Sequence, residues 1–295
     1  MWRGVFSALA AAFCFGLSAP FSKLLLEHLS ALWLAALLFL GAGLGSALLL
    51  AGRRLLGRPA EGTPLPWRWF APSILCGMLG PLFISLGLER CGGTQGALLL
   101  NLELPFTAAL AWVVFREPCG RRGLAGMALL VAGGVVLALQ PDGSRFDLSW
   151  GALAIAGACL AWAVDNNLIK KFAQADPLRS VALKGIIGGA LLALAARAAG
   201  QPVPSPAPLA EGLLLGFVSY GWTLYGIMYA LRVLGAARMI AYFSVAPFLG
   251  ALLSLWILGE RADLRLGIAA VLMAAGLWVT FSEQRAHIDT PDTSS

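Results

Sequence analysis

The sequence predicts an all-α membrane protein of ten transmembrane helices, arranged as two inverted five-helix repeats. Three observations carry that prediction: scarce charge, evenly spaced apolar runs long enough to cross a bilayer, and a polar pattern that recurs between the halves. Of 295 residues, 59% are hydrophobic and 12% are charged, against roughly 25% charged in an ordinary soluble domain. So few charges cannot cover a water-soluble globule of this length, and lipid must solvate much of the surface. The 35 glycines agree, because membrane helices approach one another through small residues.

A spanning helix needs about 20 mostly apolar residues. That ruler places spans at 4–24, 31–51, 70–88, 94–115, 123–139, 148–169, 178–197, 212–231, 236–258 and 266–282. The first run superficially resembles a cleavable leader, with Arg3 ahead of it and Leu17-Ser18-Ala19 near its end. Pro20 disfavours cleavage there, and the segment has a counterpart inside the chain, so it is read as span 1. The longest polar stretches are 53–68 and 200–211. Residues 1–141 and 148–282 form the two repeats, and 283–295 are expected to be a polar, disordered cytoplasmic tail.

Orientation follows from the basic residues. Arg3, Arg53, Arg54, Arg58, Arg68, Arg116, Arg121, Arg122, Lys170, Lys171, Arg179, Arg232, Arg238 and Arg285 fall at one face. The other face holds Lys23, Arg90, Arg145, Arg197, Arg261 and Arg265. The richer face is cytoplasmic by the positive-inside rule, so both termini are expected inside a multi-pass protein of the cell (inner) membrane. The net charge of +6 is dispersed singly or in pairs, which argues against a nucleic-acid partner. Cys14, Cys76, Cys91, Cys119 and Cys159 show no metal-ligand spacing, and His28 and His287 sit near span ends. No metal and no cofactor is expected.

The repeat is visible in polar landmarks. Gly4, Phe15, Ser18 and Lys23 recur as Gly151, Trp162, Asp165 and Lys170. Gly93 and Pro105 recur as Gly235 and Pro247, and Glu117, Gly133 and Leu137 recur as Glu260, Gly276 and Thr280. Apolar matches alone would mean little, but a lysine, a proline and a loop glutamate keep their places relative to the spans. An odd number of spans per half inserts the copies with opposite orientation, as in many secondary transporters, whose site lies near the midplane between repeats.

Pro105, then Phe115-Arg116-Glu117, Gly126 and Gly133, resembles the EamA-type module of the drug/metabolite transporter superfamily. Pro247, then Leu258-Gly259-Glu260 and Gly276, resembles it a second time. The first copy departs from the pattern at Arg116, where the second has Gly259. The resemblance covers nearly the whole chain and implies a two-fold pseudo-symmetric carrier, often an exporter of small metabolites. It implies no particular substrate.

Ionisable groups inside a bilayer are costly and need a reason. Glu103 lies near the middle of span 4, in Asn101-Leu102-Glu103-Leu104-Pro105. Pro105 cannot donate to the Asn101 carbonyl, which is expected to stand open to an ion, water or substrate; Pro247 marks the matching helix break. An acid beside a broken helix suits proton or cation coupling, and a structurally paired glutamate is the competing reading. Thr107 lies one turn on. Asp165, followed by Asn166, and Lys184 sit at matching depths on adjacent spans, so an ion pair is the better reading and a gate or substrate contact the other. Trp162 precedes Asp165 by three residues. Tyr220, Tyr225 and Tyr229 fall in span 8 and Tyr242 in span 9; they suit either a cavity wall for amphipathic solutes or packing and interfacial anchoring.

No nucleotide-binding fingerprint is present, so the expected function is secondary transport of small metabolites such as amino acids or amphipathic compounds. The partners expected are a small-molecule substrate, a proton or counter-substrate, and the lipid bilayer; a monomer is compatible with the sequence. The alternative within transport is a carrier or flippase for lipid-linked or nucleotide-linked sugars, which calls for more cations deep in the cavity. An intramembrane enzyme is the non-transport alternative, and the chain lacks the paired catalytic groups one needs.

Overall fold

The computed structural model describes residues 2–58, 62–116, 120–139, 149–172 and 174–289, with side chains to Ser282 apart from Phe115, Ala236 and Ala237. Glu117, Cys119, Arg145 and residues 290–295 of the tail, which figured in the sequence reading, lie outside the described residues. Fourteen α-helices follow in chain order: α1 Trp2–Gly16, α2 Ser18–Leu25, α3 Ala31–Leu55, α4 Trp67–Leu88, α5 Gly93–Leu99, α6 Glu103–Phe115 and α7 Arg121–Ala138. The second half holds α8 Trp150–Ile169, α9 Pro177–Ala198, α10 Pro206–Gly216, α11 Thr223–Leu234, α12 Ala236–Phe243, α13 Ala246–Ile257 and α14 Leu264–Asp289.

These helices make ten apolar spans long enough to cross a membrane. Four spans are interrupted. Span 1 kinks between α1 and α2 because Pro20 cannot donate to the Gly16 carbonyl. In span 4 a 3-10 turn, Leu100–Leu102, separates α5 from α6; in span 9 Ser244 and Val245 separate α12 from α13. Span 8 carries a wider π turn, Phe217–Trp222, between α10 and α11. Span 8 also begins at Pro206 rather than at 212, because Ser205-Pro206 is a helix start that apolarity alone passes over. The last helix runs on to Asp289, into the 283–295 stretch that the sequence assigned to a polar tail.

The two halves interlock rather than sit side by side. Span 2 packs on span 7, span 5 on span 10, span 3 on span 6 and span 1 on span 8. Exchanging the halves maps the first two pairs onto themselves and the last two onto each other, which is pseudo-two-fold symmetry. The paired helices run antiparallel. On span 7, Gly185 meets Gly43 and Phe39 of span 2, while Gly189, one turn on, meets Leu40 and Ala36. Between spans 5 and 10, Gly126 meets Gly276 and Thr280, while Gly133 meets Ala269 and Met273. A Cβ on Gly185 would lie 2.6 Å from Gly43, so these crossings need glycine. Opposite insertion of the halves is thus built into the helix contacts.

Candidate functional site

An even number of spans puts both chain termini at one end of the bundle, called here the terminal end. The opposite end, called the far end, is knitted by polar contacts between helices. Lys23 donates to the Leu88 carbonyl and Arg265 to the Leu139 carbonyl. The Gln95 side-chain amide donates to the Leu137 carbonyl at 2.5 Å. Glu260, in the loop after α13, accepts from the backbone amides of Gly93 and Thr94 at 2.6 and 2.8 Å. The carboxylate so caps the otherwise unsatisfied N-terminal amides of α5, where the helix dipole favours negative charge.

Spans 4 and 9 show how the bundle opens. Their far-end halves, α5 and α13, pack on each other, whereas the terminal-end halves diverge: α6 lies against α7 and α8, and α12 against α1 and α11. The divergence begins at the two breaks, just ahead of Pro105 and Pro247. Both prolines sit in the first turn of the following half-helix, where a missing N–H costs nothing. The break thus lies earlier than expected from Pro105 alone. The Glu103 amide turns back on the Leu100 carbonyl, as a 3-10 turn requires.

Between the parted helices lies a cavity of about 390 Å³, lined by residues of both halves. Glu103 reaches it from the first turn of α6, and its Oε1 accepts from the Asn166 side-chain amide of span 6 at 2.7 Å. Among the described residues no cation lies within ion-pair distance of Glu103. Asp165 and Lys184 form the ion pair expected from their depth, and Ser73 of span 3 completes it. The Ser73 hydroxyl donates to Asp165 at 2.5 Å and accepts from the Lys184 ammonium at 3.1 Å. Gly77 leaves room for this pair: a Cβ there would lie 2.2 Å from the Lys184 side chain. Three residues on, a Cβ at Gly80 would lie 2.0 Å from Trp162 Nε1.

An aromatic cluster lines the same cavity. Phe15 and Trp162, matched positions of the two repeats, lie 6.4 Å apart between ring centres. Tyr220 stands 5.7 Å from Phe15 and 6.3 Å from Trp162, and Phe243 lies 5.7 Å from Phe15. All four line the cavity.

Of the residues singled out in the sequence, the cavity gathers Glu103, Asn101, Asp165, Asn166, Lys184, Trp162, Tyr220 and Pro247. Asn101 is buried and donates to the Leu98 carbonyl at 3.0 Å. Thr107, Tyr225, Tyr229 and Tyr242 do not line it. The Thr107 carbonyl accepts from Asn167, while its hydroxyl is buried without a partner among the described residues. Tyr225, Tyr229 and Tyr242 are exposed on the outside of the bundle, where Tyr225 packs on Trp222. The reason is helical phase: Tyr220, Thr223, Leu224 and Ile227 share the inward face of span 8, and Tyr225 and Tyr229 fall outside it. Sequence reasoning missed Phe15 as a wall residue, Ser73 and Phe243. The match of Phe15 with Trp162 was a usable signal; nothing marked Ser73 among the other serines.

The fold is a ten-span bundle of interlocked antiparallel halves, with a polar and aromatic cavity at their junction. The sequence pattern of the EamA-like transporter family matches the chain twice, over residues 2–139 and 149–282. The chain belongs to that family. An uncharacterized transporter of Methanothermobacter thermautotrophicus is 24% identical over 95% of this chain and 86% of its own length. A probable amino-acid metabolite efflux pump of Salmonella typhimurium is 30% identical over 63% of this chain and 60% of its own. A crystal structure 21% identical in sequence superposes with a TM-score of 0.66, covering 97% of this chain and 98% of that one, so the fold is shared.

Proposed function

We propose that the chain exports small metabolites, amino acids or amphipathic compounds, by alternating access in the cell (inner) membrane, with proton coupling through Glu103. The observation that carries this reading is the shape of the site: a cavity between inverted halves, with spans 4 and 9 packed at the far end and parted at the terminal end. The Lys and Arg bias favours a cytoplasmic terminal end, so this conformer opens toward the inside, as an exporter does when it loads. The name of the Salmonella relative supports it too. A sugar-nucleotide or lipid-linked sugar carrier fits less well, because polyphosphates are held by several cations. Among the described residues the one cation on the cavity wall, Lys184, is already held by Asp165 and Ser73.

The test is counterflow of labelled amino acids and amphipathic amines in proteoliposomes, with and without an imposed pH gradient. Glu103→Gln keeps shape and hydrogen-bonding capacity while removing titration. It should preserve folding, abolish gradient-driven accumulation and flatten the pH dependence of whatever flux remains. Full uphill, pH-dependent transport by that variant would remove Glu103 from the coupling step.

A further inference from the structure

Charge in the cavity does not balance. Asp165 and Lys184 cancel as a hydrogen-bonded pair, with Ser73 satisfying both. Among the described residues Glu103 has no cation beside it, and its partner is one amide donor, from Asn166 to Oε1. Glu103 is only partly buried and lines the cavity. When Glu103 is ionised, the cavity carries one uncompensated negative charge in surroundings of low dielectric, where such a charge is expensive unless a ligand neutralises it.

The same cavity also carries a wall of a matching kind. Phe15, Trp162, Tyr220 and Phe243 form a contiguous aromatic surface. Aromatic faces attract cations within about 6 Å of the ring centre and bury apolar bodies. A carboxylate-bearing ligand finds no free cation among the described wall residues, since Lys184 is engaged. A zwitterion places its ammonium at Glu103 but leaves its own carboxylate buried and unpaired.

Building on the transporter reading, we infer that the cavity selects organic monocations: amines with an apolar or aromatic body, ammonium at Glu103 and body against the Phe15–Trp162–Tyr220–Phe243 wall. Amino acids rank below the corresponding amines, and simple carboxylates are excluded.

Three probes share one aromatic body and differ in charge: phenethylamine, phenylalanine and 3-phenylpropionate. Binding to the purified, detergent-solubilised chain is followed by calorimetry and by the rise in melting temperature. The amine should bind roughly tenfold to a hundredfold more tightly than phenylalanine, the scale of one charge-assisted hydrogen bond left unmade, and the carboxylate should not bind. Glu103→Gln, checked for an unchanged melting temperature without ligand, should erase the ranking of amine over amino acid. Phe243→Leu should weaken the amine a few-fold and leave the ranking in place. Equal or tighter binding of phenylalanine, binding of the carboxylate, or no saturable amine binding at millimolar concentration each overturns the inference, and these wild-type readings need no variant. Survival of the amine preference in Glu103→Gln overturns the role given to that residue. Counterflow of phenylalanine without amine preference keeps the transporter reading and sinks this one; amine binding without any counterflow does the reverse.

Discussion

At the scale of single residues, the Asp165–Lys184 pair illustrates how a membrane interior treats charge. Their side chains are 8% and 13% exposed, so each neutralises the other where water cannot. Removing one partner leaves an uncompensated buried charge, costing about 3–5 kcal/mol. Lys184→Met or Asp165→Asn alone should therefore lower the melting temperature severely, while exchanging the two charges should recover much of the loss, read as a coupling energy in a double-mutant cycle. Additive losses would show that the pair is not a direct contact in the membrane. Ser73→Ala should cost about 1–3 kcal/mol, because it leaves the ion pair short of one donor and one acceptor.

Among the helical elements, the ends of spans 4 and 9 explain the one departure from the repeated motif. Gly259, after α13, has φ of +62°, and Arg116, after α6, has φ of +54°. Both positions require the left-handed backbone that terminates a helix. Glycine adopts it freely, whereas an L side chain there costs roughly 1–2 kcal/mol. Arg116→Gly relieves that strain but loosens the unfolded chain, offsetting about 0.5–1 kcal/mol. The net expectation is a gain of about 0.5–1 kcal/mol, seen as a small rise in melting temperature. A fall instead would assign the arginine side chain a stabilising contact of its own.

For the molecule as a whole, Glu260 is the contact most directly placed to hold the far end shut. It ties the loop after span 9 to the start of span 4, the two spans that part at the terminal end. Cys91 is a reporter beside this latch: it is 6% exposed, and burial pushes its thiol up to about 12. At neutral pH a closed far end therefore holds almost no reactive thiolate. Opening returns the thiol toward its ordinary value near 8.5, so labelling rises with opening and, in the opened state, with pH. With Cys91 as the sole cysteine, Glu260→Gln should speed labelling by an impermeant maleimide about tenfold, the scale of losing one charge-assisted hydrogen bond. Unchanged labelling would mean that the other far-end contacts suffice. Labelling from outside also tests the orientation, as do reporter fusions. Fusions after Arg58 and Arg122 should read cytoplasm, and one after Gly143, in the stretch outside the described residues, should read the exterior.

Composition and hydropathy by themselves determined the solvent and the number of spans, because bilayer thickness sets one ruler for every helix; the family was legible only in the repeated proline and glycine motifs. Polar landmarks such as the paired Pro105 and Pro247 made the repeat legible in the same way. Depth in the membrane was legible too, which is why Asp165 was correctly matched with Lys184. Facing was not. Whether a side chain points into the cavity or into lipid depends on helical phase, and the π turn at 217–222 and the 3-10 turn at 100–102 reset that phase in ways no apolar periodicity announces. Tyr225 and Tyr229 therefore fell outside the bundle while Tyr220 fell inside. Which end is open was likewise decided only by tertiary structure, since it depends on whether α5 and α13, or α6 and α12, are the halves in contact.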